Sequence, residues 1–182
     1  YRQVETERLM LKVLNGSQAD VVLDYYIRNR NYLSPWEPYR AEGFYTLETQ
    51  AMSLEMDLTA IERGEMLRYW VFKKASDELI GTVSLTNIIR GVFKSCYLGY
   101  KLSEEHAGQN YMTEAIQKIV EIAFNDLKLH RIEANIMPHN HASISVATKM
   151  GFISEGISKK YLKINGKWED HHRFVLINDE IE

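Results

Sequence analysis

The stretch CYLGYKLSEEHAGQNYMTEA at residues 96–115 constrains this chain most, reading as a strand, a short polar loop and the start of an amphipathic helix. Such a unit points backbone N–H groups and a helix N-terminus into one small region, where the first helical N–H groups have no intrahelical partner. A phosphate group requires that arrangement. Farther on, PHNHASISVATKMGF at 138–152 opens another helix with Asn140 and Ser143 three apart. It closes that helix at Gly151, a common residue just past a helix end. Together the two units suggest an enzyme that holds a phosphorylated carrier and transfers a group from it.

Hydrophobic periodicity orders the elements around these units. Leu9, Leu11 and Val13 alternate as an opening strand. Ser17-Gln18-Ala19-Asp20 resembles a helix start, with apolar positions running to Tyr26 or Ile27. Pro35 and Pro38 restrict their preceding residues to extended geometry, so 33–39 is predicted not to be regular helix. Leu47, Ala51, Leu54, Leu58 and Ile61 recur at helical spacing. Three strands follow at 67–73, 78–88 and 93–102, separated by turn signals at Ser76-Asp77 and Arg90-Gly91. Met112, Ile116, Ile119, Val120, Ala123 and Leu127 line one face of a third helix. A strand at 131–137 ends at Pro138, and a fourth helix spans 142–150. Asn165-Gly166 is the strongest kind of short hairpin signal and joins two last strands. The order βααβββαβαββ predicts a single α/β domain over 1–182, one mixed sheet with helices packed against it.

Bulk properties narrow the function classes. With 182 residues and 45% hydrophobic content, the chain suits one well-buried domain. A net charge of −3 gives no electrostatic support to nucleic-acid binding. The lone Cys96 cannot form an internal disulfide, which fits a reducing cytoplasm. No apolar run approaches the ~20 residues of a membrane span, and no secretory signal is visible. The expectation is a cytoplasmic protein without membrane or nucleic-acid partners.

The loop Gly108-Gln109-Asn110-Tyr111-Met112-Thr113 sits between strand and helix, where Gly108 allows close backbone approach and Asn110 suits an N-cap. No Gly-Lys-Ser/Thr follows, and only one of the three glycines of a dinucleotide fingerprint is present. Taken alone, the loop reads better as an ordinary strand-to-helix turn than as a phosphate site.

A wider set of segments decides between these. Asp24-Tyr25-Tyr26, the Pro-Trp-Glu-Pro run within 33–38, NIIRGVF at 87–93, CYLGY at 96–100, MPHN at 137–140 and YLKINGKWEDH at 161–171 occur in that order across nearly the whole chain. In this combination the chain resembles the GNAT superfamily of acyl-CoA-dependent N-acyltransferases. More narrowly it is similar to the RimJ/RimL type of ribosomal-protein-alanine N-acetyltransferase, closest to RimJ. The resemblance implies a mostly antiparallel sheet with two splayed central strands, and acetyl-CoA as cosubstrate. It implies that the loop 108–113 holds the diphosphate, and that Tyr100, Lys101 and Leu102 form the strand edge for the pantetheine arm. Asn140 and Ser143 would sit against its thiol end. The chain departs from the family's loop pattern at Glu105 and Asn110, while the backbone donors remain.

Thioester-to-amine transfer needs a neutral amine, a donor for the developing oxyanion and a proton for the departing thiolate. Many superfamily members place a Tyr acid where this chain has Ala147, so the resemblance points to Ser143 instead. No general base stands out. An α-amine, with a reference pKa of about 7.7–8.0, needs less help than a lysine near 10.4, which favours an N-terminal acceptor. Glu37 could assist from the Pro-constrained loop that resembles the acceptor-side lid; an exposed loop carboxylate is the plain alternative. Trp36 and Tyr39 either wall the acceptor groove or anchor that loop. The pairs His139/His141 and His171/His172 invite a metal reading, but adjacent strand residues face opposite ways, and no metal is expected. The resulting expectation is acetyl transfer to a protein N-terminus, the N-terminal Ala of a ribosomal protein, by a monomer or homodimer. A small-molecule amine such as a polyamine or antibiotic, and a non-catalytic CoA-binding or ribosome-associated factor, stand as alternatives.

Overall fold

Alternation along the central strands sorts side chains into two cores, one on each face of one sheet. The structure is a computed structural model describing residues 2–180. Its strands are β1 (Gln3–Glu5), β2 (Leu9–Lys12), β3 (Leu67–Lys73), β4 (Leu79–Ile89), β5 (Ser95–Leu102), β6 (Arg131–Ile136), β7 (Ile153–Ile164) and β8 (Lys167–Ile177). They form an eight-stranded sheet in the order β1-β2-β3-β4-β5-β6-β8-β7. The helices are α1 (Ala19–Arg28), α2 (Arg30–Leu33), α3 (Leu47–Glu62), α4 (Tyr111–Glu121) and α5 (His141–Lys149). In β3, Tyr69 and Val71 join the core under Ile116 and Ile119 of α4. The intervening Trp70 and Phe72 join the opposite core with Val22 and Tyr25 of α1 and Leu54 of α3.

All strand pairs are antiparallel except β5 with β6, whose parallel pairing requires the crossover that α4 supplies. That pairing is short, with rungs at Ser95↔Arg131, Cys96↔Ile132 and Tyr97↔Glu133. Beyond Tyr97, β5 stays bonded to β4 as far as Leu102↔Gly81, and β6 stays bonded to β8 as far as Ile136↔His172. The sheet therefore opens from within, as the expected splay requires. At Gly81 the neighbouring strands approach so closely that an added Cβ would lie 2.4 Å from the Lys101 carbonyl oxygen.

The expected order holds, with local differences. The short β1 has no hydrophobic period to announce it, and β2 ends one residue before Val13. A short turn Gly16–Gln18 precedes α1, closed by a capping box between Asn15 and Gln18. The first helix runs on to Arg28, and α2 follows at once. Ser34 is not extended before Pro35: it adopts φ −55°, ψ −35° in a tight turn Ser34–Trp36. Pro35 is tolerated there because early turn positions need no N–H donor. Glu37, before Pro38, is extended as predicted. Helix α4 runs on into a π segment, Ile122–Asp126, before Leu127. At the end of α5, the Gly151 N–H bonds the Thr148 carbonyl and the Phe152 N–H bonds the Ala147 carbonyl, the Schellman pattern that the left-handed Gly151 permits.

Candidate active site

The end of β5, the loop before α4 and one face of α5 enclose a cleft of about 290 Å³. One wall is the free edge of β5: Tyr100, Lys101 and Leu102 line it. The floor is Gly108, Asn110 and the first residues of α4, Tyr111, Met112 and Thr113. Asn140 and Ser143 close the third side, and Trp36 also lines the cleft. Of the residues singled out from the sequence, Gln109, Glu37 and Tyr39 do not line the cleft.

Gly108 has φ +79° and its missing Cβ would point into open space, so the backbone itself faces the cleft. Asn110 is also left-handed, at φ 63°, but it does not cap α4 with its side chain. Its Oδ1 instead accepts a hydrogen bond from Lys149 Nζ at 3.2 Å. The first N–H groups of α4 thus have no side-chain cap from Asn110, which fits a helix end meant for an anion. Arg8, a residue sequence reasoning passed over, holds this loop from behind. Its Nη1 donates to the Gln109 carbonyl at 3.1 Å, its Nε to Glu114 of α4 at 2.8 Å, and its guanidinium lies 4.2 Å over the Tyr111 ring. Glu105, the carboxylate that departs from the family loop, is turned toward Arg28 at 3.4 Å.

At the other end, Asn140 caps α5 by accepting from the Ser143 N–H at 3.2 Å. This fixes Ser143 in the first turn, facing Tyr100. The Tyr100 hydroxyl donates to the Ser143 carbonyl oxygen at 2.8 Å, and the Ser143 hydroxyl donates to the Tyr100 oxygen at 2.9 Å. Burial pushes the Tyr100 phenol up to about 12, against a smaller opposing pull from Ser143. Tyr100 therefore stays protonated at neutral pH, and Ser143 keeps a lone pair for the cleft. Nothing in the local sequence of β5 points to this partnership. Cys96, also on β5, is buried, and burial pushes its thiol up to about 12, so it is an unreactive sulfur.

Glu37 is neither solvated nor in the cleft. Its side chain is 13% exposed and ion-paired with Lys101, whose ammonium also lies 5.2 Å over the Tyr26 ring. The Glu37 carbonyl accepts from Asn165 N–H at 2.8 Å, tying the loop to the β7–β8 hairpin. Trp36 stacks on His139 with ring centroids 5.1 Å apart, whereas Tyr39 is 73% exposed. His139 and His141 line a second cavity of about 510 Å³ against Lys160, Trp168 and Asp170 of the hairpin. Trp36, which lines the cleft, packs on His139, which lines this second cavity. His171 and His172 turn to different partners, Glu169 and Ser154. A separate group, Glu78, Glu105 and His106, brings possible ligand atoms within 4.8 Å of one another. Arg28 already engages Glu105, and Ser103 engages His106.

A sheet parted beside a free strand edge, with a phosphate-ready loop at one end and a hydroxyl pair at the other, defines an acyltransferase cleft. Comparison with known proteins agrees. Residues 8–153 match the acetyltransferase (GNAT) domain family. The chain is 39% identical to Bacillus subtilis (strain 168) YjcK, described as a probable N-acetyltransferase, over 96% of each chain. It is 34% identical to the [ribosomal protein uS5]-alanine N-acetyltransferase of Escherichia coli (strain K12), covering 93% of this chain and 87% of that one. The crystal structure of the ribosomal-protein-S5-alanine acetyltransferase from Vibrio fischeri superposes with a TM-score of 0.93 at 36% identity, covering 99% and 98% of the two chains. Mycobacterium smegmatis RimJ, solved with a CoA disulfide, shares the fold with a TM-score of 0.89 at 24% identity, over 94% and 83%. The chain belongs to the GNAT family and is an acetyl-CoA-dependent N-acetyltransferase.

Proposed function

We propose that this enzyme acetylates the N-terminal α-amine of a protein, an N-terminal alanine of a ribosomal protein. The observation that carries the reading is likeness over nearly the full length to two enzymes named for that reaction. The second cavity supports it, because a polypeptide acceptor needs room beyond its first residue, and the packed Trp36–His139 pair puts one residue in each cavity.

Bound acetyl-CoA supplies an activated acetyl carbonyl and a thiol leaving group. The chain does the rest. The amides at 108–113 hold the diphosphate, and the free edge of β5 holds the pantetheine arm and supplies N–H donors to the developing oxyanion. The amine forms its C–N bond as the C–S bond breaks. Ser143, whose hydroxyl donates to Tyr100 at rest, rotates its proton to the departing sulfur and is reprotonated by the proton the amine loses. Tyr100 fixes the Ser143 hydroxyl from behind. Lys101 and Glu37 neutralise each other beside the cleft, so Glu37 braces the loop carrying Trp36 rather than acting as the base.

The test is thiol release with an Ala-starting peptide that copies a ribosomal-protein N-terminus, set against spermine and an aminoglycoside. Because Cys96 is buried and inert, thiol reagents read only free CoA. Turnover confined to the peptide is expected; turnover on the small amines alone would overturn the acceptor assignment. Mass spectrometry of N-terminal peptides from cells with and without the gene then identifies the protein acetylated.

A further inference from the structure

Two lysines line the main cleft, and their charges are handled differently. Lys101 is neutralised by Glu37. Lys149, at the last turn of α5, has no carboxylate within ion-pair distance among the described residues, and its hydrogen-bond partner is the neutral amide of Asn110. Lys149 therefore brings an unbalanced positive charge to the loop that opens α4, in a chain whose net charge is −3. It arrives from a different element, so the α4 helix end and the Lys149 ammonium converge on one spot independently. Asn110 is placed to hold it there. Its left-handed backbone turns the side chain away from capping α4, which leaves Oδ1 to accept from Nζ.

We propose that Lys149, steadied by Asn110, is a ligand to the diphosphate of the cosubstrate, resting on the reading of this cleft as the acetyl-CoA site. An ammonium on a flexible stem needs only a small swing from Asn110 to reach an oxygen carried by the neighbouring amides. The pair restores with charge and reach what the loop forgoes by carrying Glu105 and Asn110. It also explains why Asn110, bulkier than the small residue usual in the family, fits a loop that binds a ligand.

Calorimetric titration of the intact protein tests this with three probes: CoA, 3′-dephospho-CoA and pantetheine. Lys149→Met is expected to weaken CoA and 3′-dephospho-CoA alike, by about tenfold for one charge-assisted contact, and to leave pantetheine unchanged. Lys149→Arg should recover most of the loss, and Asn110→Ala should give a smaller one. Unchanged CoA affinity in Lys149→Met would overturn the inference. So would a loss seen with CoA but absent with 3′-dephospho-CoA, since that result assigns the lysine to the 3′-phosphate. Wild-type protein that failed to bind CoA at all would instead strike the reading of the cleft. Matching thermal midpoints of variant and wild type without ligand exclude misfolding as the cause.

Discussion

Ser143 points its proton at Tyr100, and Tyr100 returns its own to the Ser143 backbone, so the pair stores a defined hydroxyl geometry at the thiol end of the cleft. Removing the serine hydroxyl removes the proposed proton source and leaves the cleft walls intact. Ser143→Ala should therefore lower kcat by about 10²-fold or more while CoA affinity barely moves. Tyr100→Phe keeps the ring and loses both bonds. It should cost about 1 kcal/mol in stability and slow turnover less than Ser143→Ala does. Equal kcat in Ser143→Ala and wild type would remove the serine from the chemistry. A second residue-scale test concerns Glu114. Burial works to raise its pKa, but bonds from the Thr6 hydroxyl, the Arg8 N–H and the Arg8 guanidinium outweigh this and hold the carboxyl below its ordinary 4.5. A depressed folded-state value means the stabilisation is complete above the unfolded value and is lost as pH falls through the folded one. Glu114→Gln should thus lower the Tm near neutral pH, with the gap to wild type closing in acid. A gap constant across pH would show that packing, rather than charge, carries the effect.

Among the elements, β5 bears the most function, and its position depends on Gly81. A methyl group there would meet the Lys101 carbonyl oxygen at 2.4 Å, so β4 or β5 must shift. Gly81→Ala should cost about 1–3 kcal/mol in chemical unfolding and weaken CoA binding through the displaced edge. A variant with wild-type stability would mean the strands part at no cost. Element identity was largely legible in the sequence, because β3 alternates cleanly between two cores and Asn165-Gly166 demands a type I′ turn, with φ 47° and 84°. What escaped was local and polar. Asn110 has the residue type of a cap, yet Lys149, 39 positions away, claims its side chain. Arg8 lies 101 residues from the Gln109 carbonyl it holds, and no local pattern reports such a contact. Ser34 adopts helical angles in the tight turn at Pro35, against the steric preference of a residue before proline.

Across the whole molecule, three distant stretches converge on Glu37: the loop after α2, strand β5 through Lys101, and the turn of the β7–β8 hairpin through Asn165. The cleft was legible from the sequence because its residues cluster in two runs, whereas the acceptor side was not, being assembled from long-range pairs. The parted strands carry a consequence of their own. Residues 98–102 of β5 and 134–136 of β6 face each other without rungs, which amounts to a seam inside the sheet rather than at its border. Unpaired backbone along a strand is a template for whatever can bond to it. A pantetheine arm laid into the seam would act as a splice, joining two half-sheets whose facing strands share three rungs. Hydrogen exchange should record this as slower amide loss along the β5 side of the seam when CoA is added, with β1 and β2 unaffected. Protection spread evenly over the molecule, or absent from the seam, would mean that the ligand does not mend it.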